Sequence, residues 1–198
     1  MMKLHTSSTS PFGRKCRMVA HVVGVADRVE VVDADYKSTA FARLNPLGKV
    51  PALELDDGRA LIDSPVIAAY LASLGDEFQV YPQEPDTKWQ ALHLEALADG
   101  VTDAAVLAYL EERRADDEKS QGWLDKQFAK MNAGLDVIEV QAEQFADRTD
   151  IGVLAVASGL GWIELRSVGG DWRKGRPNLS DWMDDFATRD CWKATGSG

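Results

Sequence analysis

Cysteine is scarce in this chain, which holds only Cys16 and Cys191 among 198 residues. Two thiols cannot build the disulfide framework on which small secreted domains depend. The N-terminus lacks an apolar stretch of signal-peptide length, and the longest apolar-rich run, residues 151–163, is too short to span a bilayer. From these absences we expect a cytoplasmic protein that does not insert into membranes.

Positive charge is also in short supply, with 22 Lys and Arg against 32 Asp and Glu and a net charge of -10. This balance argues against binding nucleic acid or anionic membranes through bulk electrostatics. His5, His21 and His93 show no metal-ligand spacing, and no acid or hydroxyl partner can be placed beside them from the sequence. We therefore expect no metal centre.

The first part of the chain alternates short strand and helix patterns. A brief strand at residues 4–6 precedes a helix opened by Pro11, in which apolar residues recur at spacings of three and four. A second strand at residues 29–32 is followed by a weak helix at residues 36–43. This order predicts a β-α-β unit.

A hairpin pattern comes next. Two strands, residues 50–55 and 60–62, flank an Asp-Asp-Gly turn in which Gly58 can take a positive φ. Ser64 then opens a helix as its N-cap, with Pro65 at the first helical position. The predicted order of the N-terminal domain, residues 1–75, is therefore βαβ-ββα.

The rest of the chain follows a linker, residues 76–86, and is predicted to be an all-helical domain over residues 87–198. A long helix at residues 89–112 is separated from the next by a charged turn. The second helix repeats apolar residues four and three apart, which predicts packing against a neighbour.

A third helix, residues 151–166, is apolar on nearly every side and rich in Gly and Ala, so we expect it at the centre of the helical domain. Asp147 is predicted to cap it, with Asp150 in its first turn. A last short helix is predicted at residues 179–186.

One candidate binding site lies where the helix after the hairpin begins. Free amides and the helix dipole at such a start favour a carboxylate, and Ser64 adds a hydroxyl donor. Asp63, directly before it, suits an ammonium group, so the α-amino-acid end of a ligand would satisfy both. A capped helix without any ligand explains the same residues.

A second candidate is the segment that precedes the hairpin. Pro51 at the start of a strand is typical of a cis bond, which leaves the backbone groups of Val50 free for a ligand. Lys49 beside them is a natural partner for a carboxylate. A surface turn with a solvated lysine is the alternative.

A third candidate is the hydroxyl cluster between the first strand and the first helix, with Ser7, Ser8, Thr9 and Ser10 in a row. Ser10 lies where helix-end amides favour a thiolate or another anion. The alternative is plain capping by Ser10 with Pro11 as the first helical residue, and the spacing does not separate the two.

Together, these motifs resemble the glutathione transferase superfamily in both motif order and domain order over the whole chain. In particular the chain resembles a small bacterial subgroup called YibF-like. The resemblance is carried by SPFGRK at residues 10–15, NPLGKVP at residues 45–51, DSP at residues 63–65 and EALADG at residues 95–100. Asp147 stands where the superfamily usually has a Ser or Thr cap.

The resemblance implies a thioredoxin-like domain that binds glutathione, followed by a helical bundle domain. Val50, ahead of Pro51, would pair its backbone with the cysteinyl part of glutathione. Asp63 and Ser64 would hold the γ-glutamyl ammonium and carboxylate, and Lys49 would reach the glycyl carboxylate.

Ser10 matches the position that in the superfamily is a catalytic Ser or, in omega-like classes, a Cys. A Cys would support thiol-disulfide exchange, whereas Ser can only donate a hydrogen bond to the glutathione sulfur. Ser8 and Ser7 are fallbacks for this role. Phe12 is expected to border glutathione and the electrophile pocket, and Asp99 is either a glutathione or substrate contact or a helix surface charge.

We therefore predict a serine-type glutathione transferase that attacks a small hydrophobic electrophile, as in detoxification, with glutathione as co-substrate and no metal. A glutathione-dependent lyase, dehalogenase or isomerase is an alternative, as is a non-enzymatic binding or dimerisation module. The resemblance also implies a homodimer.

Several further residues are predicted to serve structure rather than chemistry. Cys16 lies on the apolar face of the first helix and is expected to be a buried thiol, and Cys191 is placed near a mobile tail. Trp89, Trp123 and Trp162 are expected to pack internally.

Overall fold

The computed structural model describes residues 1–196, apart from the side chain of Glu77. The N-terminal part is a four-stranded sheet in the order β2-β1-β3-β4, in which β1 and β2 are parallel and the other neighbours antiparallel. The strands are β1 (Met2–Thr6), β2 (Val29–Asp33), β3 (Ala52–Glu54) and β4 (Ala60–Leu61).

Three helices accompany this sheet, and five form the remainder of the described chain. The first three are α1 (Pro11–Val22), α2 (Thr39–Leu44) and α3 (Ser64–Ala72). The others are α4 (Pro85–Glu112), α5 (Gln121–Gln141), α6 (Ile151–Arg166), α7 (Pro177–Phe186) and α8 (Asp190–Ala194). The predicted fold, a thioredoxin-like βαβ-ββα domain followed by an all-helical part, is confirmed.

The start of α1 is fixed closely against the end of β1. Ser10 caps the helix, and its Oγ accepts a hydrogen bond from the Gly13 amide at 3.1 Å. A Cβ atom on Gly13 would lie 1.9 Å from Oγ1 of Thr6, a side chain that is itself buried. Glycine is therefore required where the helix leaves the sheet.

The central position of α6 is confirmed, because every residue from 151 to 160 is buried. Its small residues permit close packing on α4: a Cβ atom on Gly159 would lie 2.3 Å from Oγ1 of Thr102. The predicted cap was wrong. Asp150, not Asp147, caps the helix, since its Oδ1 accepts hydrogen bonds from the amides of Gly152 and Val153.

Three other boundaries differ from the prediction. Asp63, and not Ser64 as predicted, is the N-cap of α3, so Ser64 is the first residue of the helix. The long helix α4 begins at Pro85, inside the segment predicted as a linker. A further helix, α8, which was not predicted, contains Cys191, whose side chain is buried. The domain limits 1–75, 76–86 and 87–198 stay predictions.

The tryptophans do not all pack internally. Trp162 is buried, but Trp89 is 67% exposed and Trp123 is 42% exposed, so the packing prediction was wrong for these two. Within residues 1–196 we find no helix whose length and apolar character would let it cross a membrane.

Candidate functional site

The sheet topology brings the three candidate segments to one edge. The start of β3 lies opposite the end of β1, because Ala52 pairs with His5, and the end of β4 lies beside the same part of β3, because Leu61 pairs with Leu53. The segments that contain Ser10, Val50 and Asp63 adjoin these three strand ends. They therefore meet at a single edge of the sheet.

Ser10 has a geometry that leaves its hydroxyl proton available. The side chain is 8% exposed, and its oxygen accepts the Gly13 amide, as described above. None of the described residues accepts a hydrogen bond from this hydroxyl. Ser8 is exposed in the preceding turn, and Phe12 is half-buried in the first turn of α1. Among Ser7, Ser8 and Ser10, only Ser10 is the N-cap of α1.

The segment before β3 presents free backbone groups. The Val50–Pro51 peptide bond is cis, as the sequence predicted. Asn45 orders the loop from within, because its Nδ2 donates to the Lys49 carbonyl at 2.7 Å and its Oδ1 accepts from the Leu47 amide at 3.0 Å. Across residues 1–196, neither the N–H nor the C=O of Val50 has a hydrogen-bond partner. The Lys49 side chain is exposed.

The start of α3 presents free donors at the same edge. Ser64 is only 2% exposed, yet its hydroxyl oxygen is not sealed off and forms no hydrogen bond with the described part of the chain. The Ser64 carbonyl accepts a weak bond from Sγ of Cys16 at 3.7 Å, which ties α3 to α1. Asp63 is exposed and lies directly before these donors. An anion and a cation can thus be held side by side.

An ion cluster that sequence reasoning missed lies behind this edge. Lys15 is 1% exposed, and its Nζ lies 2.9 Å from Oε1 of Glu95 and 2.6 Å from Oδ2 of Asp99. Asp99 is therefore not a free surface charge, because it binds Lys15 of α1, and its side chain is 20% exposed; a contact with glutathione or substrate stays a prediction. The spacing of four between Glu95 and Asp99 was a usable signal, since it places both acids on one face of α4.

The surroundings of the cluster carry a negative field. Burial lowers the pKa of Lys15, but the carboxylates of Asp99 and Glu95 outweigh it and raise that pKa overall. Burial raises the pKa of Asp103, the positive charge of Lys49 lowers it, and the negative charge of Asp63 raises it further. Asp63 also helps to raise the pKa of Asp99, after burial. Asp63, Asp99 and Asp103 therefore repel one another, and a ligand ammonium group would relieve this repulsion.

His5 and Cys16, for which the sequence indicated no chemical role, are respectively paired with an acid and buried. Nε2 of His5 lies 2.9 Å from Oε2 of Glu54, an acid partner that could not be placed from the sequence. The antiparallel pairing of β1 and β3 brings these two residues onto neighbouring positions. Cys16 is a buried thiol as predicted, and burial raises its pKa to about 12.

A surface cavity of about 440 Å³ lies away from this site. It is lined by residues at the start of β1 and in the β3–β4 turn, among them Met2, Asp56 and Arg59. Ser10 follows the opposite end of β1, so the cavity is not part of the candidate site. In the described part of the chain, no three His, Cys, Asp or Glu side chains are grouped as a metal site would require.

Comparison with known proteins places these features in context. Residues 9–74 match the family described as the N-terminal domain of glutathione S-transferase. The chain is 31% identical over 198 residues to the uncharacterized GST-like protein YibF of Escherichia coli K12, covering 98% of each chain.

Solved structures show the same similarity. A glutathione transferase family member from Pseudomonas fluorescens Pf-5, crystallised with glutathione, has a TM-score of 0.92 and 33% identity over 99% of this chain and 98% of its own. The same protein has also been crystallised with S-(propanoic acid)-glutathione. A glutathione S-transferase from Methylobacillus flagellatus KT with glutathione bound has a TM-score of 0.91 and 36% identity over 99% of each chain.

Proposed function

Because the chain belongs to the glutathione S-transferase superfamily, we propose that it binds glutathione at the sheet edge and transfers it to a small, largely hydrophobic electrophile. The observation that carries this proposal is the set of free groups at that edge. The Val50 backbone and the Ser64 hydroxyl have no hydrogen-bond partner within residues 1–196, and each matches one part of glutathione.

Each charged group at the two ends of glutathione has a partner of complementary chemistry at this edge. The γ-glutamyl carboxylate would accept from Ser64 at the start of α3, where the helix dipole favours an anion. Its ammonium group would face Asp63 within the negative field described above. The glycyl carboxylate would be bound by Lys49, and the backbone of Val50, ahead of Pro51, would pair with the cysteinyl unit. Glutathione-bound relatives with TM-scores of 0.92 and 0.91 support this assignment.

Ser10 would activate the glutathione sulfur. Its oxygen already accepts the Gly13 amide, so its proton can be donated to a thiolate at the N-terminus of α1. A free thiol titrates near 8.5, and a lowering of about two units would make the thiolate dominant at neutral pH. A serine forms no mixed disulfide with glutathione, which favours conjugation over thiol-disulfide exchange.

The reaction would then be a nucleophilic attack in which the thiolate forms a carbon–sulfur bond with the electrophile. Phe12, half-buried beside Ser10, would border the electrophile. The relative from Pseudomonas fluorescens Pf-5 was crystallised with S-(propanoic acid)-glutathione, a molecule whose sulfur is already bonded to carbon. Accommodation of such a molecule in a relative supports conjugation chemistry for this chain.

Calorimetric titration with glutathione tests the binding half of the proposal. Ser64→Ala should weaken binding about tenfold, because a hydrogen bond to a charged carboxylate is removed. Ser10→Ala should bind glutathione within a few-fold of the wild type, and Ser8→Ala serves as the matched hydroxyl control. Absence of binding by the folded wild type would contradict the proposal and favour a non-enzymatic role for the fold.

The pH dependence of thiolate formation tests the catalytic half. The ultraviolet absorbance of bound glutathione should titrate well below 8.5 in the wild type and Ser8→Ala, and close to 8.5 in Ser10→Ala. Turnover of a panel of aromatic chlorides and activated alkenes should fall in parallel. Equal titration of Ser8→Ala and Ser10→Ala would remove Ser10 from the assigned role.

We also propose that the protein forms a homodimer. Three large apolar side chains on α3, α4 and the segment between them are exposed, namely Val66, Phe78 and Trp89. Burial of such side chains against a second copy would remove them from water. Sedimentation analysis should give twice the mass of 21.7 kDa, and a monomer at micromolar concentration would contradict the proposal.

A further inference from the structure

Two arginines without acidic partners lie over the ring of Tyr109, and one of them, Arg166, contacts the loop that carries Ser10. Nη2 of Arg166, the last residue of α6, donates to Oγ1 of Thr9 at 2.8 Å. Arg166 and Arg113 both lie over the ring of Tyr109, with guanidinium carbons 5.4 Å and 5.0 Å from its centroid. Since Thr9 is the neighbour of Ser10, this positive group adjoins the place where the glutathione sulfur would be activated.

The hydrogen-bonding capacity of Arg166 is largely unused. An arginine has five N–H donors, and within residues 1–196 only Thr9 accepts one from this side chain. Nε is buried without an acceptor, whereas Nη1 has no acceptor and is not sealed off from solvent. A buried polar group without a partner is costly, and a planar guanidinium matches a carboxylate in both charge and shape.

The absence of acids around these two arginines is notable in so acidic a protein. The net charge is -10, and five of the seven arginines in residues 87–196 form an ion pair with an acid. Arg114, adjacent to Arg113, lies within 4 Å of both Glu111 and Glu118. Among the described residues no carboxylate comes within ion-pair distance of Arg113 or Arg166. The C-terminal ends of α4 and α6 favour positive charge, but Arg114 shows that this preference is compatible with acidic partners.

We propose that the electrophile carries a carboxylate, which Arg166 binds through its free Nη1 edge while Arg113 supplies a second positive charge across Tyr109. The Trp162 ring contacts the Tyr109 ring edge-on, with the ring centroids 5.4 Å apart, and so helps to fix the position of Tyr109. This inference rests on the proposed function and narrows its substrate class from small hydrophobic electrophiles to anionic ones.

The test uses a charged and a neutral substrate of the same shape, 4-chloro-3,5-dinitrobenzoate and 4-chloro-3,5-dinitrobenzamide. In each case the thiolate adds to the carbon that bears chlorine, the carbon–sulfur bond forms, and chloride leaves with the bonding electrons. The two glutathione conjugates that result are also prepared chemically, and their binding is measured by calorimetry. Binding of the conjugates tests the arginine site whether or not the enzyme turns over either chloride.

The wild type should bind the carboxylate conjugate about tenfold more tightly than the amide conjugate. Arg166→Gln should abolish this preference and leave binding of the amide conjugate within about twofold. Arg113→Gln should reduce the preference by a smaller factor, because its side chain is exposed. Arg114→Gln removes the same charge from the adjacent position and should retain the preference.

The outcomes separate the two proposals. No preference in the wild type, a preference retained in Arg166→Gln, an equal loss in Arg114→Gln, or no binding of either conjugate would each overturn the arginine site. Tight, Arg166-dependent binding of the carboxylate conjugate without turnover of any electrophile would retain the site and reject the transferase activity. Equal turnover of both chlorides by the wild type and Arg166→Gln would retain the transferase and reject the site.

Discussion

Replacement of Lys15 by methionine should be among the most damaging single changes in the α1 helix. Lys15 is 1% exposed and is the shared partner of Glu95 and Asp99, whose side chains are 6% and 20% exposed. Removing one member of a buried ion pair leaves a carboxylate without compensation and typically costs about 3–5 kcal/mol. At roughly 2–4 °C per kcal/mol for a chain of this size, Tm should fall by about 6–20 °C.

The pH dependence of this loss follows from the carboxylates that remain. Burial raises the pKa of both Glu95 and Asp99 above the usual value even with Lys15 present, and removal of the ammonium group raises them further. When the pKa of a carboxyl group is higher in the folded protein than in the unfolded chain, the group stabilises the fold at pH values below the unfolded-state pKa of about 4. This stabilisation is lost as the pH rises through the folded-state pKa. The deficit of Lys15→Met should therefore be largest at pH 8 and shrink towards pH 5.

Urea unfolding at pH 8 and pH 5 measures these differences. The triple variant Lys15→Met, Glu95→Gln, Asp99→Asn should recover most of the lost stability, because no buried charge remains. Lys119→Met is the matched control: its Asp116 partner is 98% exposed, and such surface pairs contribute at most about 1 kcal/mol. A loss for Lys15→Met that is equal at both pH values, or no larger than that of Lys119→Met, would refute the reasoning.

Three further predictions concern stability and thiol chemistry. Gly13→Ala should lower the free energy of unfolding, measured in urea, by about 1–3 kcal/mol, because the added Cβ would meet Thr6. Gly100→Ala has open space around it and should raise the free energy of unfolding by about 0.5–1 kcal/mol. Equal effects of the two substitutions would contradict the close contact at Gly13. Asp150→Ala should cost about 1–2 kcal/mol and Asp147→Ala under about 0.5, and the reverse order would reject Asp150 as the cap. Iodoacetamide at pH 8 should leave Cys16 unmodified until the protein unfolds, since the pKa of its thiol is raised to about 12, and rapid labelling of the native protein would contradict its burial.

Local patterns predicted the parts of the fold that depend on near neighbours. The Asp-Gly turn between β3 and β4 is present, with Gly58 at a φ of 83°, and the Gly- and Ala-rich α6 is buried. The candidate segments were recognised for a similar reason, because each consists of adjacent residues at an element boundary. Their assembly at one sheet edge follows from the strand order.

The errors arise where two residues compete for one role or where contacts are distant in sequence. Asp63 and Ser64 are both good caps, so the sequence does not decide which one precedes the helix, and Asp147 and Asp150 present the same choice. The pairing of Lys15 with residues 80 and more positions away has no local signature beyond the spacing of the two acids. Trp89 was expected to pack, but which face of α4 is exposed depends on tertiary contacts that the local sequence does not specify.

The middle and the last turn of helix α6 contact different parts of the chain. Oγ of Ser158 donates to the Pro11 carbonyl of α1 at 2.6 Å, and a Cβ on Gly161 would meet the ring of Trp192 in α8. In the last turn, Arg166 donates to Thr9 and Glu164 pairs with Arg173. Glu164 and Leu165 in that turn are exposed. Under the proposed function, substitutions after residue 163 should therefore change the preference for the electrophile without altering the glutathione contacts, and a chimaera joined at that point should still bind glutathione.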